Sequence, residues 1–241
     1  MLSFGGDYWD PETGLCAVDG PAGIAAADVM KRLIPFNPRD YLGLMWDIRT
    51  GYMERGETVQ SGYWSVRTVR LTNPEEALLP TIGEAGYAAS PTGDGGDMAT
   101  MTGALSFGIN SKASDIDKKA AWEFIKWGTS RDMMRRFAEE DSGVSIFHRS
   151  ILADPGLQAR YPYYKMLLSA QDNAQRRIFH LFYADVEEIF GVELNKYMAG
   201  ETESAQEALT NGCTKINTRL AVFPDELRLR WINDVPAAIF N

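Results

Sequence analysis

Carboxylates near the start of the chain are the first residues whose type and spacing could do chemistry. Asp7, Asp10 and Glu12 lie close together in sequence. Two carboxyl groups that flank a glycosidic bond can hydrolyse it, one as the acid and the other as nucleophile or base. Nothing nearby supplies a paired acid in an apolar setting, so the sequence favours a solvated turn over a glycosidase site.

The sequence also contains the three residue types of a serine-type catalytic triad. Ser169, His180 and Asp185 have the residue types of a nucleophile, a general base and an orienting acid. No nucleophile elbow accompanies them. We therefore predict no catalytic residues.

Cysteine and histidine are too few and too scattered for a metal centre. The sequence has Cys16, Cys213, His148 and His180, and none of them has C-x-x-C or H-x-x-x-H spacing. We predict neither a metal site nor a cofactor. A Cys16–Cys213 disulfide stays open, but the spacing suggests no disulfide framework, and buried free thiols are the favoured state.

The composition narrows the function classes. The formal net charge of −9 disfavours binding to nucleic acid and docking on anionic membranes. No apolar run approaches the roughly 18 residues that a membrane span needs, so no direct membrane insertion is expected. The first residues carry no signal-peptide pattern. Aromatic residues make up 11% of the chain, and such rings serve both cores and the recognition of sugar C–H faces.

The elements that must position these residues are mostly helices. A hairpin is predicted over 5–18, and strands are predicted over 58–65, around Tyr87 and over 104–110. Residues 221–241 show no stable period. Few strands among many helices indicate the α/β class. Periodicity and caps predict helices over 19–34, 41–55, 118–127, 154–160, 163–174, 185–199 and 204–220, with another starting after Ser130.

The order of several short motifs then suggests a family. The motifs are GG-x-x-x-D-x-x-x-G at 5–14, Y-M-E-R-G-E-T at 52–58, S-G-Y-W-S at 61–65, G-x-L-x-x-x-I at 103–109, A-x-E-F-I-K-W-x-T-S at 121–130, A-G-E at 199–201 and E-A-L at 207–209. This order resembles the C-terminal portion of family 1 bacterial extracellular solute-binding proteins of ABC transporters, the maltose and multiple-sugar type. The resemblance covers about residues 5–220, and the segment at 121–130 is its most specific part.

The resemblance implies a periplasmic-binding-protein type II-like α/β fold, in which a sugar binds between two lobes. Residues 1–102 would begin the C-terminal lobe, 103–158 would form a segment of an incomplete N-terminal lobe, and 159–220 would return to the C-terminal lobe. Residues 221–241 match nothing expected of the family. Most of the N-terminal lobe and the signal peptide are absent from the sequence.

The resemblance also implies ligand residues at a bend. Trp64 follows a glycine where the family places an aromatic ring that stacks on a sugar, and a core tryptophan is the alternative. The adjacent Tyr63 is a weaker candidate for a ligand contact. Gly62 would let the ligand approach the backbone, although a plain turn glycine is as good an explanation.

Further candidates follow from the expected lobe crossing and from a helix start. Thr102 and Gly103 would lie where the chain crosses between lobes, either as ligand contacts or as a hinge. Tyr183 and Asp185 would face the cleft, but a helix N-cap explains Asp185 slightly better. Arg177 is more readily a surface residue than a ligand contact.

The resulting hypothesis is a carbohydrate-binding subunit of an ABC importer, which is not an enzyme. Its expected partners are a mono- or oligosaccharide and the membrane subunits of an ABC permease, and its expected location is extracytoplasmic. Because one wall of the sugar site would be missing, we expect this chain to bind sugar weakly or not at all. The alternatives are a glycosidase-like carbohydrate-active enzyme and a non-functional gene fragment.

Overall fold

The computed structural model describes residues 1–72, 85–103, 106–140, 142–176 and 182–238. Helices dominate these residues, and short 3-10 turns occur at Leu2–Phe4, Ile34–Phe36, Tyr41–Gly43 and Ser65–Arg67. The α-helices are α1 (Pro21–Leu33), α2 (Trp46–Glu54), α3 (Val69–Thr72), α4 (Asp115–Gly128), α5 (Arg131–Glu139), α6 (Arg149–Leu152), α7 (Pro155–Arg160), α8 (Tyr163–Asp172), α9 (Tyr183–Ala199), α10 (Ala205–Leu220) and α11 (Asp225–Ala238).

Capping residues explain where several of these helices begin. The side chain of Ser130 accepts a hydrogen bond from the backbone N–H of Met133 at 3.3 Å, and Ser204 accepts one from Glu207 at 3.1 Å. Asp154 caps α7, with a proline at the first helical position. The helices predicted from 118, 130, 154, 163, 185 and 204 are therefore confirmed, with small shifts of their ends.

Two strands, β1 (Thr100–Thr102) and β2 (Ala174–Arg176), pair as a two-stranded sheet. The described residues fall into two compact units, and the chain passes between them after Leu44, Ser90, Met101 and Ala174. Unit 1 comprises Met1–Leu44, Pro91–Met101 and Gln175–Asn241, and unit 2 comprises Met45–Ser90 and Thr102–Ala174. These units differ from the predicted lobe boundaries, because residues 45–90 and 159–174 join the unit that contains 103–158. The assignment of segments to lobes of the family fold stays a prediction.

The core of unit 1 lies where α1, α9 and α10 pack together. Ala208, Leu209 and Ile216 of α10 are buried there, as are Val186 and Phe190 of α9. Close helix packing explains a small residue on α10: a Cβ at Gly212 would lie 2.6 Å from the ring of Phe190.

The last turn of α9 is closed by a side chain from α1. The ammonium group of Lys31 donates to the carbonyl oxygens of Tyr197 and Met198 at 2.5 and 2.8 Å. A cation at the carbonyl end of a helix satisfies free acceptors and opposes the negative end of the helix dipole. Gly200 then ends the helix with a left-handed φ of 83°.

The two cysteines form a disulfide, which corrects the prediction of free thiols. Cys16 and Cys213 lie 197 residues apart in sequence, and their Cα atoms are 5.3 Å apart. The hairpin at 8–17 brings Cys16 to α10: Trp9 and Cys16 form an antiparallel bridge, and the backbone N–H of Cys16 donates to Asn217 Oδ1 at 2.9 Å. Spacing could not reveal this pair, since the two residues meet only through the packing of unit 1.

Residues 225–238 form α11, where the sequence showed no stable period. Arg228 is buried, and its guanidinium donates to the carbonyl oxygen of Phe223 and to Asp225 Oδ1, both at 2.7 Å. The ring of Trp231 meets that of Phe223 with centroids 5.1 Å apart. The period was hidden because a buried arginine occupies a position where an apolar residue would have marked the inner face.

Unit 2 has its own core, made by α5 to α8 and the loop that precedes α6. Its buried residues are Met134, Ala138, Ile146, Ile151, Leu152, Leu157, Tyr161, Tyr163 and Tyr164. The Tyr163 and Tyr164 rings pack edge to face with centroids 4.7 Å apart, and the hydroxyl of Tyr164 donates to the carbonyl oxygen of Ala138. A buried tyrosine needs such an acceptor, so these contacts fix the packing of α8 on α5.

Three predicted strands are absent from the described residues. Residues 58–65 run as irregular chain into a 3-10 turn, residues 85–90 are irregular, and so are 106–110. Ala104 and Leu105, the start of the third predicted strand, lie outside the described residues. Val59 and Phe107 are exposed, so the alternation of apolar residues does not correspond to a buried strand face.

Helix α4 carries an exposed apolar surface. Trp122, Phe124 and Trp127 are all more than half exposed, and the helix holds no buried residue. Ile125 is intermediate, whereas Met134 on α5 is buried. The apolar surface of α4 is therefore largely accessible to solvent.

Candidate functional site

Trp64 lies at the end of an irregular bend and begins a 3-10 turn. Its carbonyl oxygen accepts the backbone N–H of Arg67 at 2.9 Å, so the turn fixes the positions of the two side chains relative to each other. The indole ring is 46% exposed. This exposure fits a surface on which a sugar ring can stack and does not fit the alternative of a core tryptophan. Its role in ligand binding stays a prediction.

A second tryptophan lies against Trp64. The rings of Trp46 and Trp64 meet edge to face, with centroids 5.0 Å apart and planes at 87°. Trp46 is 40% exposed. Helix α2 buries Thr50 and Glu54 one turn apart, whereas Met45, Trp46 and Ile48 are exposed although they are apolar.

Charged side chains complete this surface. The guanidinium carbon of Arg67 lies 4.7 Å from the ring centroid of Trp46, and its Nη2 donates to Asp47 Oδ1 at 2.5 Å. We call the group Trp46, Asp47, Trp64 and Arg67 the aromatic corner. Sequence reasoning missed three of its members, because their contacts join α2 to the bend and no local motif encodes that pairing.

A buried carboxylate holds the bend from behind. Glu54 accepts the hydroxyl of Tyr63 at 2.9 Å on one oxygen and Arg70 Nη1 at 3.0 Å on the other. Burial, followed by the hydrogen bond to Glu54, raises the pKa of Tyr63 above its ordinary value. The hydroxyl of Tyr63 therefore links the bend to Glu54 of α2, and Glu54 in turn binds Arg70 of α3.

Gly62 is exposed and open on the side where a Cβ would project. No heavy atom lies within 4 Å of that position, and Gly62 is not among the glycines with a positive φ. Neither the backbone conformation nor the packing requires glycine there. The plain-turn explanation is weakened, and close approach of a ligand stays a prediction.

Thr102 and Gly103 come at the end of β1, next to the passage from unit 1 to unit 2. The side chain of Thr102 lies outside the described residues. Gly103 is exposed, and no atom lies within 4 Å of the position that a Cβ would take there. The choice between ligand contact and hinge stays a prediction.

Tyr183 and Asp185 belong to unit 1, whereas the aromatic corner belongs to unit 2. Helix α9 begins at Tyr183, so Asp185 lies in its first turn and is not the N-cap, which corrects that interpretation. Asp185 forms an ion pair with Arg219 of α10, and the hydroxyl of Tyr183 donates to Glu187 Oε1 at 3.0 Å. Both side chains therefore have partners within unit 1.

A recess of unit 2 lies beside the bend. It is lined by Ser65, Gly143, Val144 and Tyr163 among others, and it leaves room for about one water molecule. Ligand pockets of drug-sized molecules have about 300–1,000 Å³ and enclose most of the ligand. The aromatic corner is therefore the better candidate for a sugar surface than this recess.

The carboxylates near the N-terminus form a turn. Asp10 Oδ1 accepts the backbone N–H groups of Glu12 and Thr13 at 2.9 and 2.8 Å. The hydrogen bonds from Thr13 hold the pKa of Asp10 below its usual value. A glycosidase acid needs a raised pKa, so the geometry argues against Asp10 in that role.

Two of the remaining chemical candidates lie outside the described residues. They are His180, the histidine of the possible serine-type triad, and Arg177. Across the ranges that the structure describes, no cluster of three or more His, Cys, Asp or Glu side chains is arranged to hold a metal ion. Among the described helices, none is both long and apolar enough to cross a bilayer.

The chain is similar in sequence and fold to known proteins of one family. The family described as bacterial extracellular solute-binding protein matches residues 1–135. Maltose-bound MalE3 of T. maritima is 28% identical, with a TM-score of 0.78 over 90% of this chain and 55% of that one. A solute-binding protein from Agrobacterium radiobacter K84 in complex with ribitol is 24% identical, with a TM-score of 0.74 over 90% of this chain and 54% of that one.

A third solved structure shares the fold at lower identity. The solute-binding protein of Agrobacterium vitis S4 with bound D-mannitol is 19% identical, with a TM-score of 0.70 over 92% of this chain and 56% of that one. The chain thus spans just over half the length of these relatives. The similarity confirms the periplasmic-binding-protein type II fold class. Since the family match covers more than half of the chain, this protein belongs to the bacterial extracellular solute-binding proteins.

Proposed function

We propose that this chain supplies part of the carbohydrate-binding surface of an ABC importer's solute-binding subunit, with Trp64 as the residue that stacks on the sugar or polyol. The observation that carries the proposal is the exposed Trp64 ring, set edge to face against the exposed Trp46. Flat aromatic faces exclude water from the C–H groups of a sugar, and neighbouring polar groups bind its hydroxyls. Relatives that share the fold hold maltose, ribitol and D-mannitol.

Binding by these residues alone is expected to be weak. The aromatic corner is an open surface, so most hydroxyls of a bound sugar would remain in water. A two-sided site removes that water and replaces it with hydrogen bonds. Losing about 4 kcal/mol of such contacts weakens binding roughly a thousandfold, which corresponds to millimolar affinity for a site that would otherwise be micromolar.

The disulfide indicates the compartment in which the protein would act. The Cys16–Cys213 disulfide requires an oxidising compartment, as found outside the cytoplasmic membrane. A solute-binding subunit there would release its sugar to the membrane subunits of an ABC permease. Binding moves no covalent bond, so this role needs no catalytic residue, no metal and no cofactor.

Indole N–H signals offer the direct test. The chain contains six tryptophans, so a protein labelled with ¹⁵N-tryptophan gives few signals, each assignable by substitution. We expect maltose, D-mannitol and ribitol at millimolar concentration to shift the signals of Trp64 and Trp46. The signal of buried Trp9 is the internal control. Glutamate and glycine are the control solutes and should shift none of these signals.

The outcomes separate the hypotheses. Sugar-dependent shifts at both Trp64 and Trp46, with the Trp46 shift lost in Trp64→Ala, support the proposal, and no shift at Trp64 with any sugar overturns it. Micromolar binding would show that these residues already form a complete site, contrary to the expectation of weak binding. Release of nitrophenol from a panel of nitrophenyl glycosides would favour the alternative of a carbohydrate-active enzyme.

A further inference from the structure

The aromatic corner carries an ion pair of unequal exposure. Arg67 lies over the Trp46 ring and donates to Asp47, and its side chain is 23% exposed, against 60% for that of Asp47. A cation over an aromatic face is attracted by the ring electrons, and that attraction holds the guanidinium in place. A solute that reaches the corner therefore meets the carboxylate more than the guanidinium.

The carboxylate has acceptor capacity left for a ligand. An ionised carboxylate has about four lone-pair positions, and the bond from Arg67 Nη2 uses one of them on Oδ1. Sugar and polyol hydroxyls are donors of matching chemistry. A ligand that carries a carboxylate would instead be repelled by the carboxylate of Asp47, because this is the more exposed member of the pair while Arg67 lies against the Trp46 ring.

We propose that Asp47 is a specificity-determining residue that makes the surface at Trp64 prefer neutral sugars and polyols over sugar acids. Arg67 is its positioning residue, since it holds the carboxylate beside the tryptophan pair. This inference rests on the proposed function, for it assigns a selectivity to the same carbohydrate surface. Nothing in the motif at 61–65 indicates it, because Asp47 and Arg67 lie outside that motif.

The test uses a matched pair of ligands and the full chain. D-mannitol and D-mannonate differ only in the replacement of one terminal alcohol by a carboxylate. The shift of the Trp64 indole signal gives the affinity of each. The wild type should bind mannitol about tenfold more tightly than mannonate, since only mannonate carries a carboxylate that Asp47 repels; tenfold corresponds to about 1.4 kcal/mol. Asp47→Asn should reduce that preference to about threefold or less, and Asp47→Glu should retain most of it.

A second ion pair in unit 2 provides the control. Arg55 lies over the ring of Tyr52, with its guanidinium carbon 5.1 Å from the centroid, and donates to Glu57 at 2.7 Å. Glu57→Gln removes one charge from this similar arrangement and should leave the preference for mannitol unchanged.

Each result has one interpretation. If Asp47→Asn keeps the full preference while Trp64→Ala abolishes the sugar-dependent shift at Trp46, the inference is overturned and the proposed function stands. Equal effects of Asp47→Asn and Glu57→Gln also overturn it, because they would indicate a general charge effect. If the wild type binds neither mannitol nor any other sugar, the proposed function fails and the inference fails with it. An unchanged urea unfolding curve of each variant shows that the fold is retained, since Trp9 lies in unit 1 and reports only on that unit.

Discussion

The hydroxyl of Tyr63 donates a 2.9 Å hydrogen bond to Glu54, whose carboxylate is buried beneath the bend that presents Trp64. A second bond, from Arg70, engages the other oxygen of the same carboxylate at 3.0 Å. The negative charge of Glu54 is thus stabilised by two donors, Tyr63 before Trp64 in the sequence and Arg70 after it. The conformation of the bend depends on this carboxylate.

Replacing this carboxylate should weaken the fold and loosen the bend. Glu54→Gln keeps the shape but loses the charge, so we expect the free energy of unfolding to fall by about 2 kcal/mol, the range for a hydrogen bond to a charged group. The pKa of Tyr63 should also move down towards its ordinary value, since the Glu54 bond raises it. Urea denaturation and ultraviolet titration of tyrosine measure the two effects.

Glu57→Gln is the matched control, because Glu57 pairs with Arg55 at the surface and both side chains are about half exposed. Exposed pairs contribute little to stability. If both substitutions change the urea midpoint equally, Glu54 has no special role.

The disulfide gives a second prediction. Reduction of Cys16–Cys213, or Cys16→Ala with Cys213→Ala, should lower the free energy of unfolding by about 2–5 kcal/mol, because a long loop is released in the unfolded chain. Thermal melts with and without dithiothreitol measure this. The double variant is the control: the chain has no other cysteine, so the reductant should not change its melting temperature. An equal melting temperature of the wild type under both conditions contradicts the prediction.

A pH-dependent contribution is expected from Glu193 on α9. This residue is 2% exposed, and its carboxylate accepts hydrogen bonds from the ammonium groups of Lys215 at 2.6 Å and Lys196 at 3.2 Å. The hydrogen bond from Lys215 is the main cause of the lowered pKa of Glu193. A carboxylate with a lowered folded-state pKa stabilises the fold above its unfolded pKa, near 4.5, and this stabilisation is lost as the pH falls through the folded-state value.

Glu193→Gln should therefore cost about 1 kcal/mol at pH 7, a figure reduced by solvent screening because both lysines are about half exposed. The difference from the wild type should shrink at pH 3. Urea denaturation at both pH values provides the measurement. Glu188→Gln, an exposed position on the same helix, should show no such pH dependence. A difference that stays constant from pH 7 to pH 3 would exclude the ion pair as its source.

Gly62→Ala separates packing from ligand approach. A Cβ at Gly62 meets no atom of the protein, so the unfolding free energy should stay unchanged or rise by up to about 1 kcal/mol. Binding of maltose should weaken, since the added methyl group occupies space where the ligand would approach. Gly43→Ala, which is equally open but lies in unit 1, is the control. Unchanged maltose affinity would remove Gly62 from the site.

The apolar surface of α4 should cause self-association. The rings of Phe124 and Trp127 lie 5.8 Å apart and are both more than half exposed. Exposed apolar patches of this kind promote association. Phe124→Lys with Trp127→Glu should reduce dye binding and the sedimentation coefficient at high concentration while leaving the melting temperature unchanged. Phe36→Lys, at an exposed position of unit 1, should have a smaller effect. A monomeric wild type at all concentrations contradicts the prediction.

Sequence reasoning succeeded where local signals decide the structure. Helices begin at Ser130, Asp154 and Ser204 as predicted, and Gly200 ends α9, because helix ends depend on capping residues that are adjacent in the chain. The long amphipathic pattern of α10 placed its buried face correctly.

It failed where a residue's environment comes from distant parts of the chain. Cys16 meets Cys213 only after the hairpin packs on α10, and Arg228 hides the inner face of α11 by being both charged and buried. At the candidate site, the sequence singles out Trp64 from its place after Gly62, and its role stays a prediction. Asp47 and Arg67 were not, because their pairing depends on the position of α2 against the bend.

The route of the chain through unit 1 also sets an order of events during synthesis. Cys16 emerges from the ribosome 197 residues before its partner, which at about 5–20 residues per second is a delay of roughly 10–40 s. Both segments of unit 2 are complete by Ala174, before α9 and α10 have been made. Unit 2 can therefore fold first, while Cys16 still waits for its partner. Closing the disulfide needs Cys213, so it reports that α10 has been made and has reached the hairpin.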